Sequence, residues 1–221
     1  MADKFNRQIN GILGKMKTGD FKNKGDMGEM AVFTICEKLY QKHGGILYHS
    51  YAYKVDKNLP GNIKRDSEGL RLERLGEFTE IDVLYISPFR VIPIEVKSYK
   101  AQKITLTDKG IDGCFKTEKS PVHQNEMHAR HLLSGIFEAL PDGDEEYIKP
   151  IVVFVDECKV SDKRSKWQKE YIRPAVLDNL VDVINLVNTP YNGKIINLRL
   201  MEDRLNQIEV SCSKKLPPRY V

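Results

Sequence analysis

Residues 78–97 read FTEIDVLYISPFRVIPIEVK: two runs rich in β-branched and aromatic residues, separated by Ser87-Pro88-Phe89-Arg90, which is hairpin length. Side chains alternate along a strand. In the first run Glu80, Asp82 and Leu84 share one face; in the second Pro93, Glu95 and Lys97 do. With Pro88 and Phe89 as the turn, Asp82 stands opposite Glu95. Facing carboxylates repel across a ladder, and a carboxylate in so apolar a strand is costly unless compensated. A divalent cation between them removes that cost, and an all-oxygen donor set suits Mg²⁺ or Mn²⁺. Lys97 lies one step further on the same face, where an ammonium holds or deprotonates a water; desolvation beside a metal would lower its pKa. The competing reading is a set of ordinary solvated strand charges.

Outward from this hairpin the chain reads as a mixed sheet flanked by helices, an α/β fold of order α-β-β-β-α-β-α. A helix starts near Gly28, with Val32, Phe33, Cys36, Leu39 and Tyr40 on one stripe, and Gly44-Gly45 ends it. A strand follows over 46–55. Residues 56–76 form a charged loop, and 101–120 read as irregular. Pro121 opens a helix over about 122–140, closed by Pro141-Asp142-Gly143-Asp144. The continuous apolar run Ile151 to Val155 predicts a central strand. A last long helix carries Val176, Leu177, Leu180, Val183, Ile184 and Val187; Ile195 to Met201 suits a strand, and the basic tail with Pro217-Pro218 looks loose. The expected organisation is a basic N-terminal extension over residues 1–24, with a weak helical pattern from Phe5 to Met16, and a single domain over 25–221.

Bulk properties constrain the function loosely. Of the 221 residues, 41% are apolar and 30% charged, ordinary for a globular protein. No apolar run reaches the length of a membrane span. The N-terminal run lacks the apolar core of a signal peptide, so the expectation is a cytoplasmic protein without membrane association. The cysteines Cys36, Cys114, Cys158 and Cys212 form no C-x-x-C pair, which argues against a zinc knuckle. A net charge of +4 permits a polyanionic partner without demanding one. Lys15, Lys17, Lys22 and Lys24 cluster near the start, and Lys97, Lys100 and Lys103 cluster after the hairpin.

Three further features have two readings each. Glu29 lies on the apolar stripe of its helix, which points it toward the hairpin; alternatively Asp26-x-x-Glu29 is a capping box. His128 and His131 share Gln124's face, three or four residues apart. That spacing suits a metal pair, but a polar rim near the site, touching phosphates, accounts for them better. Trp167, among Lys163, Arg164, Lys166 and Lys169, reads either as a basic-aromatic surface for nucleic acid or as a partly buried loop tryptophan.

Taken in order, GDMGEM around Glu29, TEIDVLYI around Asp82, VIPIEVKSYK around Glu95 and Lys97, and SPVHQN around Gln124 resemble the NERD (nuclease-related domain) family of PD-(D/E)xK nucleases. The resemblance spans about 24–140. It implies a restriction-endonuclease-like core and Mg²⁺- or Mn²⁺-dependent cleavage of nucleic acid, DNA in particular, in repair, recombination or defence. It implies that Asp82, Glu95 and the main-chain carbonyl of Val96 bind the metal and that Lys97 positions the attacking water. Glu29 would support the metal or a second ion, and Gln124 would anchor the site or the phosphate. Lys100, Lys103, His128 and His131 are the expected nucleic-acid contacts, and a homodimer is expected by analogy. Ser120-Pro121 departs from the family's usual Asn-Pro, which bears on Gln124. The alternatives are a non-catalytic nucleic-acid-binding or scaffold module that keeps the fold, and an unrelated metal-binding regulator.

Overall fold

The computed structural model describes residues 24–55, 78–99, 103–108, 110–112, 121–156 and 158–220. Lys15, Lys17 and Lys22 of the N-terminal basic group, the expected Phe5–Met16 helix, the 56–76 loop, Lys100 and Cys114 lie outside them. The elements are α1 (Lys24–His43), β1 (Gly45–Lys54), β2 (Phe78–Ile86), β3 (Val91–Lys97), β4 (Lys103–Thr107), β5 (Gly110–Asp112), α2 (Pro121–Ile136), β6 (Ile151–Phe154), β7 (Lys159–Asp162), α3 (Lys166–Tyr171), β8 (Arg173–Val176), α4 (Leu180–Val187), α5 (Leu198–Ile208) and β9 (Glu209–Arg219).

The expected α/β architecture is the one observed. Six strands form the main sheet in the order β8-β6-β3-β2-β1-β9. The β9-β1-β2-β3 half is antiparallel, and β3-β6-β8 is parallel. Apolar clusters cover both faces, and a third, smaller one includes Val152 and Phe154 of β6. On the first, Val32, Phe33, Cys36, Leu39 and Tyr40 of α1 and Leu180, Ile184 and Val187 of α4 pack on Val83, Ile94, Val96 and Val153. On the second, Ala129, Leu132 and Ile136 of α2 and Leu198, Met201 and Leu205 of α5 pack on Tyr48, Tyr51, Tyr53, Leu84 and Ile86. The stripe expected on α1 is thus the stripe it buries.

Turn chemistry fixes the hairpin and the helix end. Gly44 (φ 71°) follows α1, and its N–H donates to the Tyr40 carbonyl at 2.9 Å. Gly45 (φ 113°) lets β1 start flush against β2, since a Cβ there would lie 2.0 Å from the Ile86 carbonyl oxygen. Between β2 and β3 the Ser87 N–H donates to the Arg90 carbonyl. The Ser87 hydroxyl accepts from the amides of Phe89 and Arg90 at 3.0 Å each.

Four expectations are corrected. The long helix expected from Val176 is divided: Val176 ends strand β8, a 3₁₀ turn spans Leu177–Asn179, and α4 begins at Leu180. The strand expected over Ile195–Met201 is the start of α5, because Asn197 caps it, its side-chain oxygen accepting from the Arg199 and Leu200 amides at 3.1 Å. The supposedly loose tail is β9, an edge strand along β1, and lysine and proline are what edge strands carry to discourage further pairing. Part of the supposedly irregular 101–120 region pairs as β4 and β5, with β7, in a second sheet of order β5-β4-β7.

Asn125 joins the second face to the sheet. It is fully buried on α2, and its side-chain amide donates to the carbonyls of Pro93 (3.3 Å) and Ile151 (2.8 Å), on β3 and β6. Replacing it by alanine strands two buried carbonyls. Urea unfolding of Asn125→Ala is expected to show a loss of about 1–3 kcal/mol; an unchanged midpoint would mean the amide carries no weight there.

Candidate active site

The hairpin register is the one the loop length predicts. Val83 pairs with Ile94, Leu84 with Pro93, Tyr85 with Ile92 and Ile86 with Val91. One further step would set Asp82 against Glu95, but the backbone ladder stops at Val83. The Asp82 carboxylate instead accepts the Val96 amide at 2.7 Å. A side chain thus replaces a main-chain acceptor. β2 goes on with β1, while β3 goes on with β6 through Glu95, Val96 and Lys97. The strands fork at Asp82.

A local irregularity accompanies the fork. His49 pairs with Val83 and Tyr51 with Ile81; Ser50 and Asp82 fall between. Ser50 has φ 51°, a left-handed conformation rare inside a strand. Tyr48 and Tyr51 both face the second cluster although three residues apart, as do Ile81 and Leu84. Strict alternation is broken on both strands at the same level. The strict alternation expected over 78–86 therefore does not hold across Asp82, which is turned toward β3.

Glu95 is 1% exposed beneath α2. One of its oxygens contacts the Lys97 ammonium; the other lies 3.3 Å from Nδ1 of His128. Burial alone would raise the Glu95 pKa, but the His128 imidazole and the Lys97 ammonium outweigh it and hold the carboxyl below its usual range. Asp82 goes the other way, pushed up to about 8. Burial is the main cause and the adjacent Glu95 charge the next; Glu29 adds to it, and the Val96 amide and Lys97 oppose it. Two neighbouring groups with pKa values driven apart are a signature of acid-base or metal chemistry.

Glu29 lies close enough to bear on the Asp82 charge. Glu29 is half-buried in α1 with its carboxylate 3.6 Å from Nε2 of His49, whose ring packs against Phe33 at 5.4 Å. α1 starts at Lys24, so Asp26 lies within its first turn rather than at a cap. Gly28 lets this turn sit close to β6: a Cβ there would lie 2.8 Å from a Val155 methyl group. Gln124 is partly buried near the start of α2, one residue before Asn125. His128 and His131 are buried, so neither presents a surface for phosphate. His128 backs Glu95 instead, and burial, then the His128 charge, lowers the His131 pKa to about 4. Lys103 is exposed at the start of β4.

His128 behind Glu95, Asn125 across two strands and the Ser50 irregularity were not assigned from sequence. Of these only the histidine carried a signal, through its spacing from Gln124.

Among the described residues no three His, Cys, Asp or Glu side chains form a metal-holding cluster. What converges is two carboxylates, Asp82 and Glu95, with Glu29 near enough to raise the Asp82 pKa. A pair of close carboxylates, one protonated for want of a counter-charge, fits a hard divalent cation that retains much of its water.

The raised Asp82 pKa has a consequence for stability. An acid whose pKa is higher folded than unfolded contributes stability fully present below its unfolded value and lost as pH rises through the folded one. For metal-free protein that window runs from about pH 4 to about pH 8. In EDTA, Asp82→Asn should therefore raise the melting temperature at pH 8 and have much less effect at pH 4. An equal difference at both pH values would show that Asp82 titrates normally.

The family model of the nuclease-related domain, NERD, matches residues 24–155, a span that includes Glu29, Asp82, Glu95, Lys97 and Gln124. Among solved structures, the small subunit of the heterodimeric restriction endonuclease R.BspD6I is similar to this chain at 14% identity and a TM-score of 0.36, over 90% of this chain and 87% of that one. No curated protein matches the chain. Over well more than half its length, then, the chain is a nuclease-type domain, and it belongs to the NERD, nuclease-related domain, family.

Proposed function

We propose that this protein is a Mg²⁺- or Mn²⁺-dependent endonuclease that hydrolyses phosphodiester bonds of DNA. The observation that carries the reading is the fork itself: Asp82 leaves the β2–β3 ladder to accept the Val96 amide, next to a buried Glu95 that holds the Lys97 ammonium. Asp82 and Glu95, with the Val96 carbonyl, would hold the cation, and Glu29 would support it. When bound, the cation supplies positive charge against the phosphate and makes water more acidic.

The remaining steps fall to side chains of the chain. Lys97, 27% exposed at the end of β3, keeps its ammonium at the mouth of the site. Released from Glu95, it orients the attacking water and neutralises charge that develops on the phosphate. His128 keeps Glu95 in place from behind, and Gln124 anchors the site or the phosphate from the start of α2. Lys100 and Lys103 would meet the DNA backbone beyond β3. A two-fold mate would let one site per chain cut both strands. Repair, recombination or defence are the settings in which such an activity is used. Among the described residues no helix is long and apolar enough to cross a membrane, and the expected site of action is the cytoplasm.

Plasmid and single-stranded DNA incubated with Mg²⁺ or Mn²⁺ should be cut by the wild type. Asp82→Ala should abolish cleavage, EDTA should stop it, and Lys97→Ala should slow it by about 10²- to 10⁴-fold. Metal-dependent binding with no cleavage of any of these substrates would point instead to a non-catalytic nucleic-acid-binding module.

A further inference from the structure

Residues 159–173, KVSDKRSKWQKEYIR, hold six lysines and arginines against two acidic residues, a net +4 that equals the net charge of the whole chain. The other residues balance. Within this segment lies Trp167, the only tryptophan of the protein. It is neither buried nor in a loop, as a structural tryptophan would be: it sits on α3, 60% exposed. Its ring stacks on Tyr171 with an interplanar angle of 9° and a centroid separation of 5.8 Å. Lys163 and Lys166 are exposed beside it, and Lys169 is half-exposed.

The helix that carries the aromatic pair is fixed in place. Arg164 is 2% exposed, with a bidentate grip on Asp162 at 2.9 and 2.7 Å. The same guanidinium donates to the carbonyls of Gln168 (3.3 Å) and Ile172 (2.8 Å), which close α3. The Ser165 amide donates to Asp108 at 2.7 Å. Tyr171 and Ile172 pack with Val122 of α2, the helix that carries His128 to Glu95. A flat aromatic surface, rigid before any ligand arrives and ringed by lysines, loses little on binding.

We propose that Trp167, stacked on Tyr171 and flanked by Lys163, Lys166 and Lys169, is a binding platform for unpaired bases of a nucleic-acid strand, separate from the Asp82–Glu95 fork. Every base offers a π-face, so the contact is independent of sequence, and the lysines meet the phosphates on either side. The platform extends the reading of the protein as acting on nucleic acid, but it does not require cleavage.

Because Trp167 is the sole tryptophan, intrinsic fluorescence reads the site directly. Full-length protein in EDTA, where no cleavage occurs, is titrated with oligothymidylate of about 15 nucleotides and, in parallel, with heparin as a polyanion without bases. The oligonucleotide should quench Trp167 and heparin should not. By anisotropy of a labelled oligonucleotide, Trp167→Ala should weaken binding roughly 5- to 150-fold, Trp167→Phe should retain most of it, and Lys163→Glu/Lys166→Glu should reduce its salt dependence. Absence of quenching, equal quenching by heparin, or unchanged affinity of Trp167→Ala would overturn the platform. Quenching by a protein that cleaves nothing with Mg²⁺ would leave the platform standing and remove the nuclease activity.

Discussion

Two carboxylates cannot sit side by side in the middle of an apolar sheet without a counter-charge. Asp82 and Glu95 are in that position, and the local structure is arranged around the conflict. Glu95 is faced by Lys97 and His128, and its pKa falls; Asp82 has one amide and is pushed up to about 8. The asymmetry is the physical content of the site. A protein selected only for stability would replace one of the pair, because burying like charges costs more than an apolar or neutral residue would.

The fold supplies the means to hold them there. A continuous β2–β3 ladder would spend the Val96 amide on a main-chain carbonyl; the fork spends it on Asp82. Opposite that point, Ser50 takes a left-handed conformation in mid-strand, and alternation slips on both β1 and β2. Such backbone strain persists only where the surroundings over-determine it, and here buried tyrosines do so. Tyr51 and Tyr53 lie on the second face with their hydroxyls donating to the carbonyls of Leu205 and His128. The Tyr53 bond ties β1 to the residue that backs Glu95.

How much of this was legible follows from what each signal measures. The α1 stripe, β2 and β6 were read correctly because apolar periodicity and run length decide them. The register was legible because the Ser87–Arg90 connection leaves few choices. The C-terminal third was read poorly: β8 and α4 share one apolar run, and periodicity does not show where strand gives way to helix. The Asn197 cap was a local signal that was overlooked, and β9 hides because an edge strand needs little hydrophobicity. At the candidate site, alternation set Asp82 opposite Glu95, but the ladder stops at Val83 and Asp82 accepts the Val96 amide instead, while Glu95 and Lys97 do meet. The Ser50 irregularity and the burial of His128 and His131 depend on tertiary packing, which no spacing along the chain encodes.

The central claim is that Asp82 and Glu95 together hold one divalent cation. A crystal soaked in Mn²⁺ and measured at the manganese absorption edge tests it directly. The account predicts an anomalous peak about 2.1 Å from an oxygen of each carboxylate, with the Lys97 ammonium withdrawn from Glu95. A well-ordered site with no peak between the two carboxylates, or a peak bound by other residues alone, would contradict it.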